Sequence, residues 1–351
     1  MATTSSSQAA STVVKQRRGQ TSIKLETDPN NFFPHLPPYS DPKSGLLSKL
    51  PASWVPYGQL MRLDRPAGFY AFYFPYVTGT LFAACISSAV PDPSVLAGLI
   101  ALLLPFNILL RGAACAWNDN VDQEFDRQVE RCRHRPVARG AVSTLNTHIF
   151  TAALLLAGYP FLTLLPSACT PHMAISVVLF FVYALMKRIT FYPQVFLGFP
   201  FAWAIFFCVA ALGMDPFGEE HAAPTLALFA ANVFWTITYD TIYAHQDIAD
   251  DEKAGVKSMA LRFRSSTKLM GAVSSAFQVA SLALCGSWAG FGPAYFIGTV
   301  GGVAAAMTLY IYSVDLKKPE SCGAWFHYQF WIVGAAFATG LTAEYALRIL
   351  A

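Results

Sequence analysis

Two acidic stretches carry the residues best suited to chemistry. The first is Asn118-Asp119-Asn120-Val121-Asp122-Gln123-Glu124-Phe125-Asp126; the second runs from Asp240 to Asp251 and includes Tyr243, His245, Asp247 and Asp250. On a helix, Asn118, Asp122 and Asp126 step by four and share one face. Asp240, Asp247 and Asp251 step by seven and four and also share a face. Two facing rows of carboxylates suit a divalent cation that holds a diphosphate. Mg²⁺ prefers oxygen ligands and completes its shell with substrate phosphate. Basic side chains at Arg65, Arg135, Lys187 and Arg188 would then meet the phosphates, arginine as a fork and lysine as a point charge. Ionisation of an allylic diphosphate leaves a carbocation that water must not reach. The aromatic run Phe69, Tyr70, Phe72, Tyr73, Phe74 and Tyr76 is therefore a candidate cavity wall.

The elements that must position these rows are apolar. The chain has 351 residues, of which 54% are hydrophobic and 13% charged, against about 25% charged in a soluble domain. This composition predicts an all-α, polytopic membrane bundle. Nine apolar spans are expected, at about 68–90, 94–116, 145–165, 172–188, 190–212, 224–246, 267–288, 293–313 and 325–349. All the Lys and Arg except Arg111 and Arg348 fall in the N-terminal lead-in or in alternate loops. That asymmetry predicts that both acidic stretches lie on the cytosolic or matrix side. Spans two and six each end in an acidic stretch followed by a basic loop, a weak internal echo that places a site between two related halves.

Residues 1–50 are rich in Ser, Thr and Pro, lack an apolar period and read as a disordered tail before a membrane domain over 51–351. The first 25 residues have the charge of a mitochondrial presequence but few apolar positions. The segment from Trp54 to Pro66 alternates aromatic and charged residues, as an interfacial segment does. The net charge of +3 gives no reason to expect nucleic-acid binding. The seven cysteines are scattered without a CxxC pair and read as small packing residues rather than zinc ligands or disulfides. No feature of the sequence points to a protein partner.

The two acidic motifs resemble those of the UbiA superfamily of intramembrane prenyltransferases: NDNVDQEFD matches NDxxDxxxD, and YDTIYAHQDIADD matches YDxxYAxxDxxDD. The segments LDRPAG, DRQVERCRHRPVARGAVS, MKRITFYPQ and GVKSMALRF also look like the branch that prenylates 4-hydroxybenzoate and related aromatic acids. The resemblance spans roughly residues 50 to 350. It implies nine helices around a central cavity, a cap over the polar side, and Mg²⁺-dependent transfer of a prenyl group to an aromatic carbon. By motif position it implies that Asn118, Asp122, Asp126, Asp247 and Asp251 hold the metal–diphosphate. It also implies that Asp240 meets the aromatic acceptor, where it would orient or deprotonate a phenol. Tyr243, inside the second motif, joins Phe69 and Tyr73 as a candidate for the acceptor or cavity surface.

The lead-in WVPY and LMRLDRPAGFYAFYFPYVTGTLFAA look like fungal meroterpenoid prenyltransferases. That branch implies farnesyl transfer to a polyketide-derived phenolic acid or pyrone, in an endomembrane. The alternative is a 4-hydroxybenzoate polyprenyltransferase of ubiquinone biosynthesis in the mitochondrial inner membrane. A transporter would place its ionisable residues near the bilayer midplane, whereas these acids cluster at span ends. A soluble prenyl-chain synthase would lack the continuous apolar spans.

Overall fold

The computed structural model describes residues 32–350, and all regular structure among them is helical. Residues from Pro37 onward form one compact unit. The presequence-like stretch and the tail up to residue 31 lie outside the described residues. Residues 32–50 are turns and bends with one 3₁₀ turn, Leu47–Lys49.

The helices are α1 (Val55–Leu60), α2 (Ala67–Ile86), α3 (Pro93–Val121), α4 (Gln123–Arg127), α5 (Thr144–Leu162), α6 (Cys169–Ile189), α7 (Pro193–Ala211) and α8 (Ala222–Ala244). They continue as α9 (Ile248–Ala254), α10 (Met259–Phe263), α11 (Thr267–Trp288), α12 (Pro293–Tyr295), α13 (Gly302–Ser313) and α14 (Pro319–Leu350). A π-helical segment, Phe296–Gly301, joins α12 to α13. Local chemistry sets the ends. Proline opens α3, α7 and α12 in the first turn, where its missing N–H costs nothing. Asp92, Ser143 and Ser258 accept amide protons at the starts of α3, α5 and α10. Gly255 closes α9 at φ 74°, a left-handed position that glycine adopts without strain.

Among the described residues, eight helical stretches are long and apolar enough to cross a membrane. The expected sixth span, α8, has the length, with 23 residues, but carries Asn232, Thr236, Thr238, Thr241 and Asp240. It lies at the centre, packed on α7, α11 and α14. Its Asn232, Thr236 and Thr238 side chains donate to carbonyls one turn back, so these donors are satisfied within the helix, while the Asn232 Oδ1 and Thr241 Oγ1 atoms are buried without a hydrogen-bond partner. The second expected span ends later than the sequence suggests, because α3 continues into the acidic motif as far as Val121. Gly198 lets α7 approach α8 closely, since a Cβ there would lie 2.9 Å from Val233 Cγ1. Large apolar side chains such as Leu156, Ile297, Leu269 and Tyr312 stay on the outside, a surface suited to lipid.

Candidate active site

The ends of α3, α6 and α8, the starts of α2 and α7, and the segments after α3 and α8 surround one cavity of about 440 Å³. Asn118, Asp122, Asp126, Asp240, Asp247 and Asp251 all line it. The two rows, more than a hundred residues apart in sequence, therefore meet at one mouth.

The first row survives a break in its helix. Although α3 stops at Val121, the Asp122 amide donates to the Asn118 carbonyl at 2.8 Å and the Asp126 amide to the Asp122 carbonyl at 2.9 Å. The step of four thus continues through the corner into α4. Asp122 is buried and accepts Lys187 Nζ at 2.6 Å and Arg188 Nη1 at 3.1 Å. Asp126 accepts both its bonds from Arg135 Nη1, at 2.8 and 2.9 Å. Burial, partly offset by Arg135 and reinforced by Asp119 and Asp122, pushes the Asp126 carboxyl up to about 6.

In the second row, Arg131 grips Asp247 with Nε at 2.9 and 3.2 Å and also with Nη2. Its Nη1 donates to the Tyr243 hydroxyl at 3.0 Å, and its guanidinium lies 5.1 Å from the Tyr243 ring centre. Burial and the adjacent Asp247 push the Asp251 carboxyl up to about 7. Asp240 lies near Gln194, whose Oε1 accepts the Met259 amide at 3.0 Å. The segment after the first row is tied to the second acidic stretch, and the segment after the second row to the end of α6. The Glu130 amide donates to Asp250 at 3.1 Å, and the Lys257 amide donates to the Lys187 carbonyl at 2.9 Å.

Of the basic candidates, Arg65, Arg135 and Lys187 line the cavity, with Arg65 half exposed and 3.4 Å from Asp64. Arg188 does not line it; it holds Asp122 and the Val121 carbonyl from behind and covers the Phe125 ring at 4.5 Å. Tyr243 lines the cavity. Phe69 and Tyr73 do not, which corrects the expected wall. Their rings stack at 5.2 Å, and the Tyr73 hydroxyl donates to the Ile100 carbonyl at 2.7 Å, so this pair joins α2 to α3. The cavity face of α2 carries Gly68, Ala71 and Phe72, the i, i+3, i+4 set that shares one side of a helix. Phe72 stacks on Phe180 at 4.8 Å and meets Phe201 edge-on at 4.9 Å.

Three residues of the site escaped the spacing argument. Asp119 is fully buried and paired with Arg62 and Arg135. It sits one residue off the counted face, and only the arginines of the lead-in hinted at its partner. Arg131 was one of several loop cations. Arg111, buried within α3, donates to the Arg62 carbonyl at 3.2 Å and the Arg65 carbonyl at 2.6 Å. A lone arginine inside an apolar span was itself a usable signal.

Among the described residues, no three His, Cys, Asp or Glu side chains converge as a ready-made metal site. The donor set still suits a hard cation. Every candidate ligand is an oxygen, the Asn118 Oδ1 and Asp119 Oδ2 atoms are buried without a hydrogen-bond partner, and burial, then Asp247, raises the Asp251 carboxyl, a penalty on its charged form that a cation would relieve. Mg²⁺ is characteristically bound through one or two carboxylates, with water and phosphate filling the remaining positions.

The family model for the UbiA prenyltransferase family matches residues 72–334. Relatives include a prenyltransferase, ascA, of Acremonium egyptiacum, 39% identical over 89% of this chain and 91% of its own length. The DMOA farnesyltransferase nvfB of Aspergillus novofumigatus is 33% identical over 87% and 95%. The mitochondrial 4-hydroxybenzoate polyprenyltransferase of Saccharomyces cerevisiae is 37% identical over 86% and 80%. In fold, the chain is similar to a UbiA homolog from Archaeoglobus fulgidus bound to GPP and Mg²⁺, with a TM-score of 0.63, 18% identity, and coverage of 83% of this chain and 99% of that one. The chain thus belongs to the UbiA prenyltransferase family and is a multi-pass membrane prenyltransferase.

Proposed function

We propose that this enzyme transfers a farnesyl group from its diphosphate to an aromatic carbon of a polyketide-derived phenolic acid or pyrone, with Mg²⁺ as cofactor, in an endomembrane. The observation that carries the chemistry is the meeting of both carboxylate rows and their cations above an aromatic floor. Asn118, Asp122, Asp126, Asp247 and Asp251 would hold Mg²⁺, which supplies Lewis-acid stabilisation of the diphosphate leaving group. Lys187, Arg135, Arg131 and Arg65 line the same cavity and offer donors to the phosphate oxygens. Phe72, Phe180, Phe201 and Tyr239 form an apolar wall that excludes water and favours positive charge at the allylic carbon. As the carbon–oxygen bond of the donor breaks, its electron pair leaves with the diphosphate; the acceptor ring forms the new carbon–carbon bond and then loses its ring proton to the released diphosphate or to water. Asp240, beside Gln194, orients the phenol or takes its proton, which enriches the ortho carbon.

The fungal relatives named as prenyltransferase and farnesyltransferase support the meroterpenoid reading. The yeast relative supports the second reading, 4-hydroxybenzoate polyprenylation in mitochondria. The deciding assay supplies membranes containing the protein with Mg²⁺ and farnesyl diphosphate. It offers 4-hydroxybenzoate beside methylated orsellinic-type acids and aryl pyrones. Farnesylation of a polyketide acceptor alone is expected. Efficient use of 4-hydroxybenzoate, improving with longer donors, would establish the second reading instead. Asp240→Asn is expected to impair transfer to the acceptor while prenyl diphosphate still binds; equal loss of both would remove its acceptor role.

A further inference from the structure

A second cavity, of about 430 Å³, adjoins the first. Arg62, Arg65 and Arg135 line both. The characters of the two differ. The central cavity has an aromatic floor, whereas the second is walled by Arg62, Arg65, Arg133 and Arg135 against a single carboxylate, Asp64. Prolines 37, 38 and 136 are its main apolar surface, so it offers little to a hydrocarbon chain. Arg135 stands in the shared wall. Its Nη1 faces Asp126 and Asp119, while its Nε is buried with no hydrogen-bond partner. Positive charge here is felt by its neighbours: burial, then Arg133 and Arg139, push the His134 imidazole below its usual range. The outer wall is the segment Pro37–Ser40. Tyr39 fixes it, with its ring 3.8 Å from the Arg139 guanidinium and its hydroxyl accepting Gln59 Nε2 at 3.0 Å. Arg133 Nη2 donates to the Pro37 carbonyl at 3.0 Å.

We propose that this arginine-walled cavity is a separate binding site for inorganic diphosphate, the leaving group of the transfer, on its way out of the central site. The proposal rests on the prenyl diphosphate reading of the central cavity. Before reaction, the diphosphate is tied to a prenyl chain that the aromatic floor retains. After the carbon–oxygen bond breaks, the free anion has no apolar part and gains most from guanidinium forks. Moving it across Arg135 clears the central cavity for the next donor without leaving the anion unpaired.

The test saturates the purified full-length protein with Mg²⁺ and farnesyl thiolodiphosphate, a donor analogue resistant to ionisation, and then adds radiolabelled inorganic diphosphate in equilibrium dialysis. One further equivalent of diphosphate is expected to bind beside the analogue. Arg133→Gln, which removes a group lining only the second cavity, should weaken that binding about tenfold, the scale of one charge-assisted hydrogen bond. It should leave the affinity for the thiolodiphosphate unchanged, and Arg133→Lys should recover part of the loss. Displacement of the analogue by diphosphate with no second equivalent would overturn the proposal, and that measurement needs no variant. Equal weakening of both ligands in Arg133→Gln, or of neither, would overturn it too. If the thiolodiphosphate itself does not bind, the donor reading fails, and the second site is judged on whether Arg133→Gln weakens diphosphate binding alone.

Discussion

Replacing Lys187 by methionine tests whether the carboxylate rows are held by specific cations. Asp122 is 1% exposed and Lys187 25%. Their charged atoms lie 2.6 Å apart, worth about 6 kcal/mol at an effective dielectric near 20. Desolvation of the lysine offsets part of this, and Arg188 remains at 3.1 Å from the other carboxylate oxygen. The net loss is then about 3 kcal/mol, the lower end of the range for breaking a buried pair. It should lower the unfolding midpoint by on the order of 5 °C. Six of the seven cysteines are buried, so a thiol-reactive fluorophore will report unfolding of the detergent-solubilised protein. The double variant Lys187→Met with Asp122→Asn should recover much of the lost stability, because no unpaired charge stays buried, yet remain inactive. A single variant as stable as the parent, or a double variant no better than the single, would refute the pairing argument.

Arg131→Lys removes the fork that holds Asp247 and the contact to Tyr243. A loss of about 1.5–3 kcal/mol corresponds to a fall of roughly tenfold to hundredfold in kcat/KM, and unaltered steady-state kinetics would contradict it. Asp247→Ala and Asp122→Ala should each abolish turnover while the protein stays folded in membranes, and chelation of Mg²⁺ should stop the parent enzyme reversibly; activity persisting in excess chelator would oppose the metal assignment. The carboxyls of Asp126 and Asp251 are pushed up to about 6 and about 7, so the metal-free fold holds these protons more tightly than the unfolded chain. Their contribution to stability is therefore fully present below about pH 4 and is lost as pH rises through 6 to 7. Mg²⁺ should consequently raise the unfolding midpoint more at pH 8 than at pH 5, and equal shifts at both values would contradict this.

The sequence by itself determined the scaffold and the chemistry-bearing rows. Apolar runs of about twenty residues leave little choice but membrane helices, and the four-residue step of Asn118, Asp122 and Asp126 is local geometry that persists even where α3 breaks. Only the tertiary structure decided which cation meets which carboxylate. Lys187 reaches Asp122 across 65 residues and Arg131 reaches Asp247 across 116, and such partners follow from helix packing rather than from spacing. The same holds for the cavity wall. An aromatic run supplies a ring to every side of α2, and packing chose Phe72 for the cavity and turned Phe69 and Tyr73 toward α3. Asp119 stayed hidden for a related reason: a residue one step off a counted face is still buried when an arginine from another segment closes over it.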